Sequence, residues 1–286
     1  MTSRDAHLPR IAGLGEIAPQ FSAILCDIWG VVHNGVRAHD AAATALRAFR
    51  EQRGPVILIT NAPRPRLDVQ AQLRGFGVPD DAYDLIVSSG DVTRELLAQR
   101  QGKTVFHLGP DRDHALLNGL DLQRADAARA DFVLCSGLFD DDRETPDDYA
   151  AMLAALRARD LDMICANPDI VVERGERLVY CAGALARAYE QLGGRAFYAG
   201  KPHAPIYQSA FSELSRLRGG EVPLQQILAI GDGLKTDLQG AANAGLQALF
   251  VLSGIHGAAH EDQAGLFAQL AQMQVRFAGV MTHLNW

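Results

Sequence analysis

The sequence has no stretch of about twenty apolar residues, so it predicts no membrane-spanning helix. Its opening, MTSRDAHLPRIAGLG, lacks the compact apolar run of a secretory signal. Positive charge is also in short supply: 27 Lys and Arg stand against 34 Asp and Glu, a formal net charge of −7. That balance argues against non-specific nucleic-acid binding and against a polybasic membrane patch, both of which need a basic surface. Only four cysteines occur (Cys26, Cys135, Cys165 and Cys181), far apart and with no CxxC pair, so neither a zinc site nor a disulfide framework is indicated. Each sits in or beside an apolar run, as expected of reduced core thiols in a cytoplasmic protein. Internal repeats and low-complexity tracts are missing. With 48% hydrophobic and 21% charged residues in 286, the chain is neither disordered nor fibrous. It is long enough for one large domain or two modest ones, each with a core that needs no staples.

Short apolar strands alternate with longer amphipathic helices, which predicts an α/β fold with a largely parallel sheet. The first unit opens with a strand at Ala23–Cys26 and an Asn34-Gly35 turn, followed by a helix at about 39–52 whose Ala42, Ala45, Leu46 and Phe49 share one face. A strand at Val56–Ile59, a helix at about 67–76, a strand at Leu85–Val87 and a helix reaching Gln99 complete its first part. A second alternating unit starts near Gly102 and closes at Gly194, with strands at 105–108, 132–135 and 163–166. The first pattern then resumes with strands at 197–199, 227–230 and 248–251 and helices at about 206–217, 237–244 and 261–273. The expected layout is a core formed by residues 1–101 and 195–286, interrupted by an inserted α/β module at 102–194.

Polar clusters follow the carboxyl ends of these strands: Asp27, Thr60-Asn61, Lys201, and Asp232 with Asp237. In open parallel sheets ligands bind at that edge. One strand-end Asp is more often a cap or turn residue, whereas several in this order and chemistry form a signal. Together the carboxylates suit Mg²⁺, which takes a few carboxylate oxygens, water and phosphate oxygens. Thr60 offers a hydroxyl, Lys201 a positive charge, and Asp27 a nucleophile able to form an aspartyl-phosphate.

The ordered set Asp27-Ile28-Trp29-Gly30-Val31, Thr60-Asn61, Gly200-Lys201-Pro202 and Gly231-Asp232-Gly233-Leu234-Lys235-Thr236-Asp237 resembles the haloacid dehalogenase (HAD) superfamily. The insert between Thr60 and Lys201, with Cys165-Ala166-Asn167-Pro168-Asp169, resembles the C2-type cap of its class IIA, NagD-like branch. The resemblance implies a Rossmann-like parallel-sheet core with an inserted α/β cap. It further implies an Mg²⁺-dependent phosphatase acting on a small phosphorylated metabolite, with a sugar phosphate as the first candidate. By the same resemblance Asp27 is the nucleophile, while Thr60, Asn61 and Lys201 hold the phosphoryl group. Asp27, Asp232, Asp237 (directly or through water) and the Trp29 backbone carbonyl ligate the metal. The expected partner is the metabolite alone, without nucleic acid or membrane, and a homodimer stays open.

One position departs from the pattern. The superfamily's phosphatases carry Asp two residues after the nucleophile as general acid, and this chain has Trp29. Indole cannot protonate a leaving alcohol, and loss of such help costs about 10²–10⁴-fold in rate. Two readings therefore stand side by side: a phosphatase, and a catalytically weak or inactive metabolite-binding protein of the same fold. Carbon–halogen and carbon–phosphorus cleavage are disfavoured, the first because Asp232 and Asp237 would have no use, the second because the cap supplies no identified imine-forming lysine. His33, His203 and Asp169 are secondary proton-donor candidates; a solvent-exposed turn histidine is the plainer reading of His33. Asp140-Asp141-Asp142 reads as a solvated acidic loop.

Overall fold

The computed structural model describes residues 8–174, 177–252 and 263–286. The first seven residues and the expected start of the last helix at Glu261 lie outside the described residues. The chain divides into two compact units, one formed by Met1–Ile59, Ala71–Ile86 and Tyr207–Trp286 and the other by Thr60–Gln70 and Val87–Ile206.

The first unit is built on strands β1 (Ala23–Asp27), β2 (Val56–Thr60), β3 (Leu85–Ser88), β11 (Ile227–Gly231), β12 (Gln247–Val251) and β13 (Arg276–Met281). The last residues of β2 and β3 pass into the second unit. The sheet order is β13-β12-β11-β1-β2-β3. From β13 to β2 all neighbours are parallel. Every residue of β1, β2 and β11 is buried, the continuous apolar pattern of strands covered on both faces. Helix α1 (Asp40–Gln52) turns Ala42, Ala45, Leu46 and Phe49 into the core. Asp40 in its first turn and Arg50 in its last complement the helix dipole.

The second unit has its own five-stranded parallel sheet, ordered β10-β7-β6-β4-β5. Its strands are β4 (Thr104–Leu108), β5 (Gln123–Arg124), β6 (Phe132–Cys135), β7 (Asp162–Cys165) and β10 (Arg195–Tyr198). Helices α4 (Ala150–Ala158) and α5 (Ala182–Gln191) cover one face through Leu153, Leu156, Leu185 and Tyr189. A separate antiparallel ribbon joins β8 (Val171–Arg174) to β9 (Arg177–Tyr180).

Two elements belong elsewhere than the sequence pattern placed them. The strand expected with the first unit at 197–199 is β10, paired in parallel with β7 as an edge of the second sheet. Helix α3 (Ser89–Ala98), also read as part of the first unit, packs Leu97 with Val105, Leu116, Phe132, Leu134 and Ile164 of the second. Periodicity reports that a face is apolar and cannot report which sheet it covers. The short strand β5, the β8–β9 ribbon and β13 had no counterpart in that reading. Among the described residues no helix is long and apolar enough to cross a membrane, and all four cysteines are buried.

Candidate active site

Chain order reverses in the first sheet between β1 and β11: β1, β2 and β3 advance to one side, β11, β12 and β13 to the other. Such a switch point opens a crevice at the carboxyl ends of the strands. Asp27 is the last residue of β1, and Asp232 follows β11 directly. Asp237 returns to them on a π-helical turn, Leu234–Leu238, that leads into helix α7 (Gln239–Asn243). The sequence pattern predicted an ordinary α-helix from Asp237. Instead the Leu238 N–H reaches back five residues to the Gly233 carbonyl at 3.0 Å, and the Asp237 N–H shares that acceptor at 3.0 Å. One Asp237 carboxylate oxygen accepts from the Gly233 N–H at 3.0 Å, so the turn is closed from both directions.

Asp27, Asp232 and Asp237 are all buried and each offers an oxygen within 4.8 Å of the others. Like charges this close repel by about 3–4 kcal/mol per pair at an effective dielectric of 20, so the set is suited to a bound cation. Three carboxylates without nitrogen or sulfur ligands fit a hard ion such as Mg²⁺. Neighbouring glycines give them room. A Cβ on Gly231 would lie 2.2 Å from the Asp237 carboxyl carbon, and one on Gly233 would lie 2.1 Å from the Thr236 hydroxyl oxygen.

Trp29 lies just beyond, in a short loop closed by Gly30 N–H to His33 carbonyl (2.8 Å) and Val32 N–H to Ile28 carbonyl (2.8 Å). His33 is 3% exposed, which corrects the reading of a solvent-exposed turn residue. Its ring meets Trp29 edge-on at 5.2 Å and Phe76 at 4.7 Å. Its Nδ1 accepts from the Gly35 N–H at 2.9 Å, which assigns the proton of the neutral ring to Nε2. Burial, with His39 adding, pushes its pKa down to about 4. A ring so packed and so seldom protonated at neutral pH is a poor proton donor. Gly35 is required here: its φ is +86°, and a Cβ would lie 2.5 Å from the Trp29 ring.

Thr60, Asn61 and Lys201 belong to the second unit. Thr60 Oγ1 accepts from the Ala62 N–H at 3.2 Å. Asn61 holds both sides of the Lys201 backbone: Oδ1 accepts from the Lys201 N–H at 2.7 Å, and Nδ2 donates to the Lys201 carbonyl at 3.1 Å. The same Nδ2 donates to Asp169 Oδ1 at 2.9 Å. Asn61 therefore ties the end of β2 to the Asn-Pro-Asp segment and to Lys201, whose side chain is buried. Gly200 permits this: a Cβ would come within 2.4 Å of Asn61 Oδ1 and 2.9 Å of Ser89 Oγ. The sequence reading gave Asn61 a phosphate contact and missed this clamp and the supporting Ser89, which donates to the Ala166 carbonyl at 2.6 Å.

The remaining candidates are committed elsewhere. His203 stacks on Tyr198 at 4.3 Å, and burial lowers its pKa. In the acidic loop, Asp141 pairs with Arg112, Asp140 pairs with Arg143 at 3.7 Å, and Asp142 donates its N–H to Asp140. Among the described residues only Asp27, Asp232 and Asp237 form a group of three or more potential ligands.

Residues 24–123 match the family model of haloacid dehalogenase-like hydrolases, and residues 198–273 match a HAD-hydrolase-like model. A haloacid dehalogenase-like hydrolase structure from Brucella suis 1330 is similar at 45% identity over 97% of this chain and 100% of its own, with a TM-score of 0.86. The chain belongs to the haloacid dehalogenase-like hydrolase family. Its relatives place it in the class IIA branch. Ribonucleotide monophosphatase NagD of Escherichia coli K12 is 27% identical over 81% of this chain and 88% of that protein. A glycerol phosphate phosphatase structure from Mycobacterium tuberculosis, in complex with calcium, is 26% identical over 84% of this chain and 68% of its own, with a TM-score of 0.63. As a hydrolase of this family, the chain carries its acidic cluster at the edge where parallel sheets bind ligands.

Proposed function

We propose that the protein is a Mg²⁺-dependent phosphatase that hydrolyses a small phosphorylated metabolite through an aspartyl-phosphate on Asp27. The buried cluster of Asp27, Asp232 and Asp237 at the switch point is the observation that carries this reading. It is supported by similarity to NagD and to a glycerol phosphate phosphatase whose structure contains calcium. Sugar phosphates are the first substrates to test.

In this scheme Asp27 attacks phosphorus, the bond from phosphorus to the ester oxygen breaks, and the leaving oxygen takes its proton from solvent. Water then attacks phosphorus to release phosphate and restore the carboxylate. Thr60 donates a hydrogen bond to the phosphoryl group, and Lys201 offsets its charge against that of Asp27. Asp232, Asp237 and the Trp29 carbonyl would hold the metal with Asp27. Bound there, Mg²⁺ would supply Lewis-acid stabilisation of phosphoryl charge. Asn61 holds the Lys201 backbone, and the inserted module at 102–194 acts as the cap that selects the leaving group. The cytoplasm is the assigned compartment, in keeping with four separate, buried cysteines.

Trp29 makes the enzyme slow on esters whose alcohol needs protonation. The test is hydrolysis of p-nitrophenyl phosphate with MgCl₂ and with EDTA. Activity should require the metal and vanish in Asp27→Asn. A wild-type protein that binds Mg²⁺ yet turns over no ester would favour the metabolite-binding reading.

A further inference from the structure

The second sheet has a switch point of its own. From β4 the chain goes to β5 on one side and then to β6, β7 and β10 on the other, so order reverses between β4 and β6. By the argument applied to the first sheet, a ligand crevice is expected at the carboxyl ends of these two strands.

Those ends carry a hydrogen-bonded cluster that the proposed reaction does not use. His107, the penultimate residue of β4, has Nε2 2.9 Å from Ser136 Oγ, just after β6. Asp113, in the segment that follows β4, neighbours Ser136; burial raises the pKa of its carboxyl group and Ser136 opposes the rise. Ser136 and Asp113 are buried. A carboxylate only accepts, and a hydroxyl has one proton to give. Ser136 can give that proton to Asp113 or to His107, and in the first case His107 Nε2–H donates to Ser136 and Nδ1 is left as an acceptor. Burial, with His114 and Arg124 adding, lowers the His107 pKa to about 4, so the ring is neutral at pH 7. The chain is drawn tight at this point. Gly109 has φ +154°, and a Cβ there would lie 2.1 Å from Ser136 Oγ and 3.1 Å from His107 Nε2.

We propose that His107, Ser136 and Asp113 form a subsite that reads hydroxyl groups on the leaving-group end of the substrate. Lys201 follows β10 on the same edge of the same parallel sheet. β10 lies two strands from β6 and three from β4, and strands sit about 4.7–4.9 Å apart, so the subsite is roughly 10–14 Å along the edge from the lysine. That span matches an esterified sugar or polyol whose phosphoryl group is held at Lys201. The cluster offers an acceptor carboxylate and a hydroxyl with an uncharged imidazole, a set that pairs with vicinal hydroxyls. This inference rests on the phosphatase reading.

The experiment compares ribose 5-phosphate, glucose 6-phosphate and glycerol 3-phosphate with p-nitrophenyl phosphate, whose leaving group has no alcohol hydroxyl. It uses the full-length wild type and the variants Ser136→Ala, Asp113→Asn and His107→Gln, with thermal unfolding as a check on the fold. His107→Gln keeps a donor for Ser136 and covers the case in which the other two fail to fold. Loss of kcat/KM by tenfold or more on the preferred hydroxylated ester, mainly through KM, with p-nitrophenyl phosphate changed less than twofold, supports the subsite. Equal loss on all substrates assigns the cluster to structure and overturns it, as does no loss on any. Wild-type KM values for the hydroxylated esters no lower than that for p-nitrophenyl phosphate also overturn it and leave the phosphatase standing. No wild-type activity on any ester removes both.

Discussion

Asp237 reaches the acidic cluster because two side chains are missing beside it. Gly231 is occupied to within 2.2 Å by the Asp237 carboxyl group, so Gly231→Ala must push that carboxylate aside. Weaker Mg²⁺ binding, by tenfold or more in calorimetric titration, is expected from this change although no ligand is altered. Trp29 acts through the reaction. An aryl phosphate leaves without protonation, whereas an alkyl phosphate leaves as a strongly basic alkoxide. Trp29→Asp should therefore raise kcat for alkyl esters by about tenfold or more, and for aryl esters by less. Equal gains across a leaving-group series would show that protonation is not the deficit. The acidic residues were legible in the sequence because strand-end position and chemistry are local properties. The Asn61 clamp on Lys201 was not, since it joins residues 140 positions apart through one amide whose partners no spacing reveals.

Among elements, α3 shows what amphipathic pattern leaves open. Its Leu97 is fully buried against Val105, Leu116, Phe132, Leu134 and Ile164, an anchor to the second sheet. Truncation by Leu97→Ala leaves a cavity there and should cost about 2–5 kcal/mol. Chemical denaturation checks the value, and protease cleavage should rise first within 87–206. The strands at 23–26, 56–59 and 227–230 were readable as uninterrupted apolar runs, since both their faces are covered. The ribbon of β8 and β9 was not readable. Its residues alternate weakly, with Leu178 68% exposed, and it borrows no neighbour from either larger sheet. At the turn after β11, a helix was legible from Asp237 onward, but the π-helical start depends on a shared Gly233 carbonyl that propensity does not encode.

At the scale of the whole molecule, the sequence announced two alternating patterns, one inserted in the other. Both α3 and β10 fall to the second unit instead of the first, because partner choice is settled by three-dimensional packing. Their different continuity has a consequence for synthesis. Every residue of the second unit precedes position 207, whereas the first unit is assembled from three stretches, the last of which starts at Tyr207. Ala23 of β1 pairs with Ile227 of β11. At about 5–20 residues per second, a ribosome delivers that partner roughly 10–40 s after β1 emerges. During this interval β1 and β2 lack their central neighbour, and by its end the five-stranded sheet is already complete. Nascent chains arrested with residue 206 outside the exit tunnel should show protease protection across 87–206 and cleavage within 23–59. Protection of both stretches at that length would mean that β1 does not wait for β11.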